Sequence, residues 1–138
     1  MPARDRYHQN LKNALIKDHW QITHDPLRLR WGRKDMYADL GAESLLTAEK
    51  SGQKIAVEIK TFQGLSEVND IENALGQYFV YHAVMTKVDP DRKLYLAVHQ
   101  EIYKEIFEEP LGQLIIDNYH IPLIVFDVPT ETILKWIT

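Results

Sequence analysis

Two apolar-rich runs, Leu45 to Glu49 and Lys54 to Lys60, flank the turn signal Ser51-Gly52, and this spacing predicts a β-hairpin. In a strand, successive side chains point to opposite faces, so Glu58 and Lys60 share one face while Val57 and Ile59 share the other. One face of this strand carries charge and the other packs. Folding the chain back at the hairpin can bring Asp39, on an expected strand from Met36 to Gly41, beside Glu58. Two adjacent carboxylates bind a hard divalent cation such as Mg²⁺ through oxygen ligands, roughly 3 to 6 Å apart, and the metal keeps waters for chemistry. A lysine two residues after the second carboxylate can hold a phosphate or lower the pKa of a nearby water. The residues Asp39, Glu58 and Lys60 thus form a candidate metal-dependent phosphodiesterase centre. An E-x-K triplet by itself is also what an ordinary exposed strand face looks like, so its surroundings have to carry the reading.

Those surroundings can be read in order along the chain. Arg4 to Trp20 has apolar positions at three-to-four spacing and predicts an amphipathic helix. His24-Asp25-Pro26 breaks the pattern, because proline lacks a backbone donor and restricts the residue before it. Ile22 and Leu27 to Trp31 predict short extended pieces, and Gly32 to Asp35 a turn. Ser66, followed by Glu67 and Asp70, predicts the start of a long helix to about Met85. Val68, Ile71, Leu75, Tyr78, Phe79 and His82, extended by Val80, Tyr81 and Val84, predict a helix covered on more than one side. Lys93 to Val98 and Pro122 to Asp127 read as buried strands, with a helix between them from about Gln100 that is interrupted near Pro110. Glu131 to Ile137 fits either a short strand or a helix.

The element order is α-β-β-β-α-β-α-β, an α/β fold with a mixed central sheet flanked by helices. No repeat or low-complexity linker divides it, and 138 residues with 45% hydrophobic content fit one compact domain, residues 1–138. The absence of cysteine excludes disulfides, a thiol nucleophile and thiolate zinc sites, and fits a reducing cytoplasm. There is neither a signal-peptide pattern at the N-terminus nor an apolar run long enough to span a membrane, so a cytoplasmic protein is expected.

A net charge of −4 is unpromising for binding nucleic acid until its distribution is considered. Residues 1–35 hold eight Lys or Arg against four Asp, for +4, and the remainder holds eight against sixteen acids, for −8. Arg28, Arg30, Arg33 and Lys34 precede the expected Asp39 strand and form a candidate phosphate-contacting lip, or a solvated loop. Other chemistries lack their motifs. There is no G-x-x-x-x-G-K-[ST] or G-x-G-x-x-G loop, and His8, His19, His24, His82, His99 and His120 show no H-x-x-x-H spacing.

The combination of an Asp at a strand end, a hairpin, Glu58-Ile59-Lys60 closing the run IAVEI, and a long helix resembles the PD-(D/E)xK nuclease superfamily. Ala38 stands where the motif's proline would be. More closely, the chain resembles XisH, the fdxN element excision controlling factor family of cyanobacteria. The likeness is carried by ALIKDHWQITHDPLRLRWGRKDMYADLGAESLLTAEKSGQKIAVEIKTF, by ENALGQY and by LYLAVHQEIYKEIFEEPLGQLI, nearly the full length. This resemblance implies a restriction endonuclease-like fold in which Asp39, Glu58 and the Ile59 carbonyl hold Mg²⁺ (or Mn²⁺) and Lys60 positions or activates water. It also implies that Gln77, in ENALGQY, points toward the metal. A buried Gln in such a helix is otherwise a hydrogen-bonded core residue. Related junction resolvases carry a ligand Glu on the first helix, at about the place of His8, which makes His8 a candidate extra site residue. The implied partners are DNA, a XisI-type companion protein and a further copy in a homo-oligomer. The alternative is a catalytically silent regulator on the same scaffold, binding DNA, the recombinase or the companion.

Overall fold

The structure is a computed structural model and describes residues 6–35, 45–62 and 66–138. Its centre is a six-stranded mixed sheet. In chain order the elements are α1 (His8–Lys17), β1 (Gln21–His24), β2 (Arg30–Trp31), β3 (Lys34–Asp35), β4 (Leu45–Lys50), β5 (Gln53–Ile59) and α2 (Glu67–Val88). They continue with β6 (Arg92–His99), α3 (Gln100–Ile102) running into a π-helical turn Tyr103–Phe107, α4 (Pro110–Tyr119), β7 (Leu123–Asp127) and β8 (Thr132–Ile137). The strand order is β1-β4-β5-β6-β7-β8, with β2 and β3 forming a separate ribbon. Strands β5, β6 and β7 are mutually parallel, and the flanking pairs are antiparallel. Parallel neighbours require crossovers. Helix α2 makes the first, and α3 with α4 the second. The mixed sheet flanked by helices agrees with the sequence expectation, and the open choice at the C-terminus resolves to strand.

The β4–β5 hairpin forms as the sequence suggests. Ser51 and Gly52 both have positive φ, 50° and 82°, as a two-residue type I′ loop requires. Register pairs Leu45 with Glu58 and Lys50 with Gln53.

Alternation along β5 divides the interior into two cores. Val57 and Ile59 face Leu11 and Leu15 of α1, together with Trp20, Ala97 and Phe126. Ala56, Leu45 and Leu96 face Ile71, Ala74, Tyr78, Tyr81 and Met85 of α2. Glu58, the register partner of Leu45 and Leu96, therefore lies on the α2 side.

Helix α2 starts at Ser66, whose hydroxyl accepts from the Asn69 N–H, with Glu67 and Asp70 in its first turn as expected. It runs three residues beyond the expected Met85 and ends at Asp89, which precedes Pro90. Its burial is one-sided. Ile71, Ala74, Tyr78, Tyr81 and Met85 recur every three or four residues and are buried, while Val68, Phe79 and Val80 are exposed. Phe79 and Val80 follow Tyr78 by about 100° and 200° around the helix, which carries them off the buried stripe.

Helix α1 ends before the expected Trp20 because His19 adopts a left-handed φ of 69° just beyond its end, while Arg4 and Asp5 of the expected span lie outside the described residues. Ten residues are too few for a stable isolated helix, which needs about 12 to 15. Packing of Leu11, Ala14 and Leu15 holds it. The β7–β8 turn adds Glu131, which accepts from the amides of Asn10 and Asn13, and the Thr130 carbonyl, which accepts from Lys17. On the other side of the molecule Gly112 of α4 presses against the π-helical turn. A Cβ there would clash with the Ile106 carbonyl oxygen, so only glycine permits the approach. Among the described residues no helix is long and apolar enough to cross a membrane.

Candidate functional site

Glu58 is a charged residue on an interior strand, 2% exposed. Burying a carboxylate this deeply costs several kcal/mol unless it is paired or held by hydrogen bonds. The sheet provides a nearby cation. The Lys60 backbone N–H donates to the Ala97 carbonyl at 3.0 Å, carrying the β5–β6 ladder one residue past β5. Lys60 thus keeps the strand's alternation, and its Nζ stands 3.8 Å from Glu58 Oε1 with the side chain 22% exposed. The sequence E-x-K has become a buried carboxylate with a partly accessible ammonium at its mouth. Ile59, between them, turns its side chain into the opposite core and is 1% exposed.

Helix α2 closes the α2 face over this pair. Tyr81 is fully buried, and among the described residues its hydroxyl has no hydrogen-bond partner. Burial pushes the phenol pKa well above its ordinary value, and the negative charge of Glu58 pushes it further, which places the ring within electrostatic reach of the carboxylate. An orphaned buried hydroxyl costs about 1 to 3 kcal/mol, and such costs concentrate where a group has work to do. Gln77, half-buried, lies one turn before Tyr81 on the same helix. By sequence Tyr81 belongs to the apolar face of the helix, and its four-residue spacing from Gln77, which puts both on one helical flank, is the signal that sets it beside the candidate site.

His8 lies on α1, on the other side of the sheet. It is 3% exposed, with Nε2 2.6 Å from Asp25 Oδ1, and the second Asp25 oxygen is 3.0 Å from Lys12 Nζ. The His8–Asp25–Lys12 cluster was not legible from spacing, because Asp25 comes from the break after β1. Nearby, the Tyr7 ring meets His99, at the end of β6, edge to face at 4.7 Å.

Arg28, Arg30, Arg33 and Lys34 are all exposed, and Arg30 pairs with Asp35 at 3.2 Å. Asp39, with the whole expected strand Met36 to Gly41, lies outside the described residues.

The oxygen donor Glu58, in a buried setting, has the chemistry that a hard divalent cation takes. Among the described residues no group of three or more His, Cys, Asp or Glu side chains could hold a metal, and a cation at Glu58 would take a further ligand from outside them. Asp39 is the sequence candidate.

The family model described as XisH protein matches residues 1–134. A crystal structure of an XisH family protein from Nostoc punctiforme superposes with a TM-score of 0.88 at 37% identity, covering 97% of this chain and 100% of that one. The crystal structure of a fdxN element excision controlling factor protein from Anabaena variabilis gives 0.88 at 41% identity, covering 98% and 100%. No curated protein matches. The match over nearly the whole chain, in sequence and in fold, establishes that this protein belongs to the XisH family.

Proposed function

We propose that the chain is a restriction endonuclease-like protein of the PD-(D/E)xK type, forming a single domain, whose Glu58 end hydrolyses DNA phosphodiesters with Mg²⁺ or Mn²⁺. The observation that carries this reading is the buried Glu58 carboxylate with Lys60 Nζ 3.8 Å away on the same face of an interior strand. A buried acid with a basic neighbour at its opening is a costly arrangement for a purely structural strand. Asp39, Glu58 and the Ile59 carbonyl would hold the cation. When bound, it would polarise a phosphoryl oxygen and lower the pKa of a water. Lys60 meets the charge that develops on the phosphate oxygens, a role in which one preorganised donor is worth about 10²-fold or more in rate. Tyr81, which feels the Glu58 charge from helix α2, would face the bound cation's ligand shell, with Gln77 one turn before it on the same helix. Arg28, Arg30, Arg33 and Lys34 supply sequence-independent phosphate contacts.

The family's name connects this chemistry to control of element excision, a reaction that a separate recombinase would catalyse, with a XisI-type companion as partner. A second reading is supported by the relative described as an excision controlling factor: the scaffold binds DNA or the companion and cleaves nothing. Incubation with linear, branched and supercoiled DNA and Mg²⁺ or Mn²⁺, alone and with the companion, separates the two. Metal-dependent nicking or cleavage of any form supports the nuclease. Intact DNA in every lane, with excision in cells tolerating Lys60→Ala, leaves the regulator.

A further inference from the structure

The ribbon β2–β3 stands apart from the main sheet and is built to present one aromatic ring. Arg30 pairs with Asp35 and Trp31 with Lys34, joined by the loop Gly32-Arg33. Gly32 has a φ of +62°, the positive value that a type II′ loop needs at its first residue. The root of the ribbon is fixed. Leu29 is 3% exposed in the α2-side core, and the Leu27 N–H donates to the Leu45 carbonyl at 2.8 Å. Leu45 is the register partner of Glu58, so the ribbon leaves the molecule at the strand end that carries Glu58 and Lys60.

Trp31 is 54% exposed, whereas Trp20 and Trp136 pack against each other with centroids 5.6 Å apart. Directly opposite residues of an antiparallel pair share a face, so Trp31 and Lys34 project together while Arg30 and Asp35 form their ion pair on the other face. Arg33 and Lys34 are exposed and, among the described residues, pair with no carboxylate. A ring meant for a protein partner is usually set in an apolar patch. The immediate neighbours of this one are Arg30, Gly32, Arg33 and Lys34, and a ring beside Arg33 and Lys34, which pair with no carboxylate among the described residues, suits a base beside its phosphates.

We propose that the ribbon is a nucleic-acid contact arm in which Trp31 stacks on a base displaced from the regular duplex stack, while Arg33 and Lys34 hold the phosphates beside it. The proposal rests on DNA being the substrate of the Glu58 site, but it can be tested without metal chemistry. Binding is measured in a chelator with three oligonucleotides: a perfect duplex, the same duplex with a single-base bulge, and one strand alone. The wild-type protein should bind the bulged duplex about tenfold tighter than the perfect one. Trp31→Ala, at an exposed position, should remove that preference and leave the salt dependence unchanged. Arg33→Ala with Lys34→Ala should weaken binding to all three and flatten the salt slope by about 1 to 2 units. Equal binding of all three oligonucleotides by wild type and Trp31→Ala overturns the proposal, as does wild type that binds none of them. Unchanged DNA binding with loss of companion binding in Trp31→Ala reassigns the ribbon to a protein contact. Metal-free binding of the expected kind without cleavage in Mg²⁺ leaves the arm standing and removes only the nuclease reading.

Discussion

Lys60 Nζ lies 3.8 Å from Glu58 Oε1, yet the lysine side chain is 22% exposed and the glutamate side chain 3%. The pair is therefore a gradient from interior to solvent, with the cation on the side a phosphate would approach. An ammonium that acts mainly on the transition state contributes little to holding a metal. Lys60→Ala is expected to cut DNA cleavage about 10²-fold or more while metal affinity stays within a few-fold of wild type. Circular dichroism confirms the fold first, and equal loss of both properties would make Lys60 a structural partner of Glu58 instead.

Tyr81→Phe separates stability from function. Phenylalanine keeps the ring in the α2-side core and removes a hydroxyl that has no partner among the described residues. The variant should unfold at the same denaturant concentration or a higher one, by up to about 1 to 3 kcal/mol. If the phenol joins the outer shell of a cation held at Glu58, the same variant loses about 10- to 100-fold in metal affinity or activity. A variant both less stable and fully active would show that the hydroxyl is a structural group.

Alkaline pH tests the burial of the phenols. Burial raises the pKa of Tyr78, Tyr81 and Tyr95, with Glu58 adding to the effect at Tyr81. The unfolded chain would release these protons near the ordinary value of about 10, whereas the folded chain retains them. Their contribution to stability is thus complete below about pH 10 and is lost as pH rises toward the higher folded values. In an ultraviolet titration these three tyrosines should ionise only together with unfolding. Ionisation of these three at the ordinary value in a folded protein would contradict the burial.

His8 and Asp25 should behave as one unit. Both side chains are nearly buried, at 4% and 9%, and removing one partner leaves the other without its bond at 2.6 Å. Asp25→Ala or His8→Ala is expected to cost about 3 kcal/mol in denaturant unfolding, and the double variant clearly less than the sum. Additive losses would mean that the two side chains act separately.

How much of this was legible in the sequence follows from the range of the forces involved. The β4–β5 hairpin, the Ser66 cap and the strands β6 and β7 depend on turn chemistry, capping and apolar patterning, all written within a few residues, and each appears close to where the sequence put it. Glu58 and Lys60 share a face because a strand alternates. The misses are non-local. Phe79 and Val80 look like core by composition, but only tertiary packing decides which stripe of α2 is covered. Likewise Asp25 reaches His8, and Tyr81 reaches the neighbourhood of Glu58, through the way α1 and α2 lie on opposite faces of the sheet. The expected Asp39–Glu58 pair lies partly outside the described residues and stays an expectation.

Calorimetric titration with Mn²⁺ decides whether Glu58 holds a divalent cation, as proposed. Wild type and Lys60→Ala should each bind Mn²⁺ at a saturable site, and Glu58→Gln and Asp39→Ala, once shown to be folded, should not. Saturable binding that is the same in Glu58→Gln as in wild type, or none in wild type, would contradict it.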